Sequence, residues 1–322
     1  MREATSEAPV PTQERPSLAI LPWTELGNDA NLANFAEALT GDITNALSIV
    51  PGIFVIDRNS TQIYRNSPIK VQQIAKELGV RYVLEGSVQR AENRVRISTE
   101  LIDAITGEQL WADRYDRETK DVFALQDEIT LAIITALRVE ITEGEQERIS
   151  LIHGTKNLQA WMVAGQGLDL LRRLTREDTA RARELYTQAT SLDPNYPGAW
   201  DGLAWTYLLS IRFGWSASPQ QDFKTAQELA QKALALDQMR GRTYALLGFI
   251  SLMMNDHNQA VGYGDKAMAL DPNGADITAL QALTLTYTDD PKTSIGLAVR
   301  AMRLSPYYPD WYRWVLGRAY RL

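Results

Sequence analysis

The chain has 322 residues, 45% of them apolar, which is enough for two ordinary domains, each with its own core. Its net charge of -7 argues against whole-molecule attraction to nucleic acid or to an anionic membrane surface. The absence of cysteine excludes disulfides, thiolate zinc sites and cysteine nucleophiles, and leaves His153 and His257 as the only imidazoles.

Residues 1–15 are polar and rich in Pro, Ser and Thr, and they read as a disordered linker rather than a secretory signal, so a cytoplasmic chain is expected. The longest apolar run, YALLGFISLMM (244–254), is far short of the ~20 residues that span a bilayer. It reads as a packed helix, and no membrane partner is expected.

The first folded unit is expected over 16–145. SLAILPW (17–23) reads as a buried strand running into a polar loop. Leu32, Phe35, Ala36, Leu39, Ile43, Ala46 and Leu47 then recur at three and four, which places one apolar stripe on a helix that stops at Pro51-Gly52. IFVID (53–57) is a second strand, and VQQIAKELG (71–79) a short helix ended by Gly79. RYVLEGSVQR, RVRISTELID and QLWADRYDR are three strands joined by AEN and AITGE. In the middle strand Val95, Ile97, Thr99 and Leu101 alternate with Arg94, Arg96, Ser98 and Glu100, so one face is buried and the other wet. An amphipathic helix over 121–141 completes a layered α/β domain with a mixed sheet.

The string ELGVRYVLEGSVQRAENRVRISTELIDAITGEQLWADRYDRE, with LAILPW before it and FALQDEI after it, closely resembles the TolB-like N-terminal domain. The resemblance implies an anticodon-binding-type fold. In bacteria it also implies a place between a class III adenylate/guanylate cyclase domain, or a winged-helix transcription-factor domain, and tetratricopeptide repeats.

The second unit, expected over 155–322, repeats one phrase: QATSLDPN, KALALDQM, KAMALDPN and RAMRLSPY. Leu192, Leu236, Leu270 and Leu304 stand 44, 34 and 34 residues apart, with Ala189, Ala233, Ala267 and Ala301 three positions before them. Proline follows at Pro194, Pro272 and Pro306. A small residue, a helix end and a turn describe a helical hairpin whose copies bury their apolar stripes by stacking into an all-α solenoid. The segment resembles the tetratricopeptide repeat, carried here by Trp200, Leu203, Ala204 and Tyr207, then by Tyr244, Leu247 and Gly248. Later copies drift, with Thr278, Gln281 and Ala282, then Tyr312, Val315 and Leu316. The ten extra residues of the second unit fall at SIRFGWSASP (210–219), where Phe213 and Trp215 are expected to pack back on the solenoid rather than form a flap. The chain stops inside a first helix, so the solenoid is expected to be truncated at Leu322.

The resemblance implies a groove for a protein or peptide, lined by Asp201, Trp205, Arg242, Phe249, Asp276, Arg313 and Tyr320. The Lys/Asn set with which some such repeats clamp a C-terminal carboxylate is not visible. The last 31 residues interleave six Lys+Arg with Tyr307, Tyr308, Trp311, Tyr312, Trp314 and Tyr320. These rings sit at core spacing, so packing is preferred to nucleic-acid stacking.

No phosphate-cradle, zinc or nucleophile-elbow motif occurs, so no cofactor, metal or catalytic residue is assigned. Asp103, Asp113 and Asp116 could meet near strand ends, but Asp103 reads as a turn residue, and Arg114 and Arg117 are ready partners for the other two. The expected function is a non-catalytic regulatory and protein-interaction region whose parent carries a linked cyclase domain. The alternatives are the effector half of a winged-helix transcriptional regulator and an envelope-associated adaptor. By resemblance to the cyclases, a homodimeric parent is expected.

Overall fold

The computed structural model describes residues 15–27, 30–65, 67–91, 93–152, 154–288 and 290–322. Nearly all of the expected N-terminal linker, and His153, lie outside the described residues.

β1 (Ser17–Ile20) is buried along its whole length and lies between β3 (Phe54–Val55) and β4 (Tyr82–Ala91), parallel to both. β5 (Arg94–Asp103) and β6 (Gln109–Glu118) extend the sheet antiparallel, in the order β3-β1-β4-β5-β6. A short β2 (Thr24–Glu25), within a stretch that reads as loop from its polarity, also pairs with β4. α1 (Ala30–Ser48) and α4 (Val122–Ala136) cover one face, where Leu18, Ile20, Phe35, Leu39, Leu84, Ile97, Leu101 and Ile129 share a core. α3 (Val71–Leu78) covers the opposite face at Ala19, Leu21 and Val83, as the alternation along β1 and β4 requires. Farther along β4 and β5 that face carries Glu85, Ser87, Ser98 and Glu100, none of them fully buried.

Two boundaries differ from the sequence pattern. Only Phe54 and Val55 of IFVID pair, because Asp57 instead caps α2 (Arg58–Thr61) by accepting the Asn59 amide at 2.9 Å. The last helix of the layer stops at Ala136, not 141, because Arg138 takes a left-handed conformation with φ 56°. A separate α5 (Glu143–Leu151) follows, opened by a capping box between Thr142 and Glu145.

The rest is a helical solenoid of stacked hairpins. α6 (Leu158–Leu171) pairs with α7 (Arg176–Leu192), α8 (Pro197–Arg212) with α9 (Pro219–Leu236), α10 (Gly241–Met253) with α11 (His257–Leu270), and α12 (Ala275–Leu285) with α13 (Pro291–Leu304). α14 (Asp310–Ala319) begins a further unit. Ala189, Ala233, Ala267 and Ala301 are wholly buried where the helices cross, which is why a small residue recurs there. The ten extra residues of the second unit are shared between a longer α8, a longer α9 and the loop between them.

Close helix approach makes a stability prediction. A Cβ at Gly202 would lie 2.1 Å from the Tyr186 ring, whereas one at Gly262 would meet nothing within 4 Å. Gly202→Ala should therefore cost about 1–3 kcal/mol in urea unfolding, while Gly262→Ala, inside α11, should gain about 0.5–1 kcal/mol.

Candidate functional site

Antiparallel hairpins place all turns that follow second helices along one edge of the solenoid and all turns that follow first helices along the other. The first edge contains the repeated phrase, and it is docked. An α-helix leaves its last carbonyls without partners. At the leucine of the phrase, donors from outside the helix supply them. The Leu192 carbonyl accepts from Asn157 Nδ2 at 3.0 Å, that of Leu270 from Arg148 Nη2 at 2.5 Å, and that of Leu304 from the Asp57 amide at 2.8 Å. The Arg148 guanidinium also meets the negative end of the α11 dipole. Leu236, in the copy with Gln238 where the others have proline, is 40% exposed, and no such donor reaches it among the described residues.

The residues that follow these leucines continue the contact. Buried Asn273 donates from Nδ2 to the Ser48 and Ile53 carbonyls, both at 2.9 Å, and Ser48 Oγ donates to Asp271 at 3.0 Å. Ser305 and Ser60 share a hydroxyl bond of 3.0 Å, and the Tyr307 amide donates to Ser60 Oγ at 2.9 Å. Arg303 spans the Leu78 and Gly79 carbonyls at 3.0 and 2.6 Å, with its guanidinium 4.7 Å from the Phe54 ring. At the other end Trp161 of α6 enters the α/β core edge-on to Phe35 and Phe123, and its Nε1 donates to Asp42 at 2.6 Å. Buried Arg58 joins Glu37 at 2.5 Å to Asp169 of α6 at 3.0 Å.

Burial is the main reason that Asp42 and Asp271 are both pushed up to about 6, against the pull of their bonds to Trp161 and Ser48. A cavity of about 730 Å³ remains between α1, the turn after α2 and the α6–α7 hairpin. Its charges are mixed, with Glu37, Asp169 and Glu184 facing Arg172 and Arg181.

The expected groove residues separate into three groups. Asp201, 1% exposed, pairs with Arg242 at 3.0 Å, and Asp276 accepts from Tyr312 at 2.7 Å, all at the docked ends of their helices. Trp205 and Phe249 stack with ring centroids 6.4 Å apart, and Phe249 is buried. Arg313 of α14 and Tyr320, which follows that helix, are exposed, with Arg313 3.7 Å from Asp310 of its own helix.

The opposite edge is open. Arg212 lies 5.2 Å from the Phe249 ring centroid and 5.9 Å from Phe213, and Phe213 stacks on Trp215 at 4.8 Å. Phe213 is 42% exposed, so the aromatic pair leans on itself and on Arg212 rather than sinking into the solenoid. Farther along, the Arg318 guanidinium sits 4.1 Å from Tyr287 and 6.0 Å from Trp314. Among the described residues neither Arg212 nor Arg318 is in an ion pair, and the strip was not visible as one surface in the sequence because it joins Arg212, Phe213 and Trp215 to Phe249, Tyr287, Trp314 and Arg318 of later repeats. His257, the first residue of α11, lies 6.0 Å from Tyr287 at the same edge.

The carboxylates of the first unit are not brought together. Asp103, 2% exposed, closes its turn by accepting the Ile105 amide and binds Arg81 at 2.7 and 2.9 Å. Burial acts to raise its pKa, but the Arg81 and amide bonds outweigh it and hold the carboxyl below its usual range. Asp116 pairs across the strand with Arg94 and Arg96, not with its neighbour Arg117, which reaches Glu128. By register Asp116 opposes Arg96, so it stands seven β5 residues, ~24 Å, from Asp103. No group of three potential metal ligands occurs among the described residues.

No protein-family model matches this chain. Over 232 residues, 72% of its length, it is 37% identical to a protein of Rhizobium meliloti (strain 1021) named "Putative adenylate cyclase 3", and it spans 39% of that protein. Among solved structures it is similar to a thermophilic TPR protein of Thermus thermophilus, with 15% identity and a TM-score of 0.40 over 63% of this chain and 92% of that one. It is also similar to TolB from Acinetobacter baumannii, with 17% identity and a TM-score of 0.30 over 39% and 29%.

Two outcomes follow from the docked edge. Asn273→Ala leaves two buried carbonyls without donors and should lower unfolding free energy by about 2–3 kcal/mol in urea melts, against less than about 0.5 kcal/mol for Asn195→Ala in an exposed turn. Asp42 and Asp271 hold protons to a higher pH when folded than when unfolded, so stability falls as pH rises from about 4 to about 6 and then levels. Each should contribute roughly 1 kcal/mol of loss between pH 5 and pH 7, and Asp42→Asn should remove its share in urea melts at the two pH values.

Proposed function

We propose that this chain is a non-catalytic regulatory and protein-interaction region, joined in its parent to an adenylate or guanylate cyclase domain. The name of the 37% identical relative, of which this chain spans only 39%, supports a parent with a further domain. The residue-level resemblance of 77–118 to the TolB-like N-terminal domain supports the same arrangement. In this reading the α/β layer is the sensing or docking module, and the open edge of the solenoid receives a protein segment.

The observation that carries the interaction role is the strip formed by Arg212, Phe213, Trp215, Phe249, Tyr287 and Arg318. Two arginines lie against aromatic faces with no carboxylate paired to either among the described residues. A peptide carrying acidic and apolar side chains would supply both missing partners, with guanidinium–carboxylate bonds at the cations and burial at Phe213 and Tyr287. The expected groove residue Trp205 then acts from behind, by stacking beneath Phe249.

The test uses the full-length parent. Arg212→Glu combined with Arg318→Glu should alter cyclic-nucleotide output and weaken capture of the partner by tenfold or more, while the isolated cyclase domain turns over as before. Unchanged output together with unchanged partner binding would reject the proposal.

A further inference from the structure

β6 is the last strand of its sheet, and its outer edge is unpaired among the described residues. It is ten residues long, contains no proline, and is exposed along most of its length. Sheet edges are ordinarily blunted by short strands, proline, bulges or charged side chains, above all lysine. Here the only irregularity in pairing with β5 lies near Leu101/Ile102, away from the centre of the strand. The charges of β6 alternate in sign, and their order is informative. Around Tyr115 the sequence reads Asp113, Arg114, Tyr115, Asp116, Arg117. Reversing its direction exchanges every acid for a base.

We infer that β6 pairs antiparallel with β6 of a second copy of this chain, with Tyr115 on the twofold axis, so that the two sheets become one. In a continuous sheet, residues directly opposite each other point to the same face. Asp113 and Arg117 lie on the face that packs against α4, where Arg117 reaches Glu128, while Arg114 and Asp116 lie on the other face with Arg96. The Tyr115-centred register therefore sets Asp113 opposite the partner's Arg117 and Arg114 opposite the partner's Asp116, each pair occurring twice by symmetry. All four charged contacts within 113–117 join opposite charges on a common face.

The neighbouring face-preserving registers fail this test. Moving the axis to Arg114 sets that arginine against the partner's Arg114, and moving it to Asp116 sets two aspartates together. A one-residue slip is excluded because it would oppose side chains from different faces. Arg114, which has no ion-pair partner among the described residues, gains one, and Asp116 adds a third arginine to Arg94 and Arg96. At the outer edge the Arg114 amide is held by the Asp113 carboxylate at 2.7 Å and the Asp116 carbonyl accepts from Arg94 at 3.1 Å. Pairing turns the Asp113 carboxylate to the partner's Arg117 and frees that amide for the ladder, while the charge order supplies register and selectivity for the same chain.

The test is sedimentation of the full chain over a range of concentrations, with urea melts confirming that each variant folds. The wild type should approach twice the chain mass of 36.1 kDa. Asp113→Arg, which opposes the partner's Arg117, should weaken association by about tenfold, and the added Arg117→Asp should restore it. The chain has no cysteine of its own, so Ala112→Cys with Glu118→Cys should cross-link into a dimer through a short bis-maleimide. Ala112→Cys alone should not, because the two copies of residue 112 would stand roughly 20 Å apart. A monomer at every soluble concentration, a dimer indifferent to Asp113→Arg, or no cross-link in the double-cysteine variant would each overturn the inference.

Discussion

The structure depends on how the last carbonyls of the second helices are satisfied. Each hairpin ends with helix-terminal oxygens that its own backbone cannot pair, and a solenoid surrounded by water would leave them to solvent. Here the Asp57 amide takes the Leu304 carbonyl, Arg148 takes that of Leu270, and Asn273 donates from the next turn to the carbonyls of Ser48 and Ile53. These bonds run between parts of the chain more than 100 residues apart, so neither layer completes its polar interior without the other. Trp161 and Phe54 carry the same coupling in apolar form, each lying in or against the core of the opposite layer.

Using one edge of the solenoid for this contact determines which surface remains. Charged groups at the docked ends of the first helices, such as Asp201, Arg242 and Asp276, are engaged within the chain. The far ends, with Arg212, Phe213, Tyr287 and Arg318, are left facing outward, and there cations rest on rings without paired acids. α8, α10 and α12 run from the open edge to the docked one, so the proposed partner contact and the α/β layer lie toward opposite ends of the same helices. For the proposed regulatory role this offers a physical route through α12, which ends at the open edge and begins at the Asn273 turn that bonds to the α/β layer.

Much of the architecture was legible in the sequence because its signals are local and periodic. Alternation in β5, the three-and-four spacing in α1 and the 34-residue spacing of Leu236, Leu270 and Leu304 each report a regular element. The helix break at Arg138 depends on a left-handed residue that no glycine announces, and the two-residue β3 depends on Asp57 leaving the strand to cap α2. The candidate site was less legible. Family spacing marks residues that face inward from first helices, but it cannot say that three of them, Asp201, Arg242 and Asp276, already have polar partners within the solenoid. The repeated Asp-Pro turn reads as a helix stop, and only the tertiary contacts of Ser48, Asn273 and Leu304 reveal it as a docking edge as well.

Native-state hydrogen exchange on the intact chain tests this account most directly, by comparing amides of α1 and β4 with those of α12 and α13 across sub-denaturing urea. Mutual completion of the two layers predicts that the slowest amides of all four elements converge on one opening free energy and one dependence on urea. Contradiction would come from α12 and α13 opening at markedly lower free energy while α1 and β4 stay protected, since the layers would then be merely adjacent.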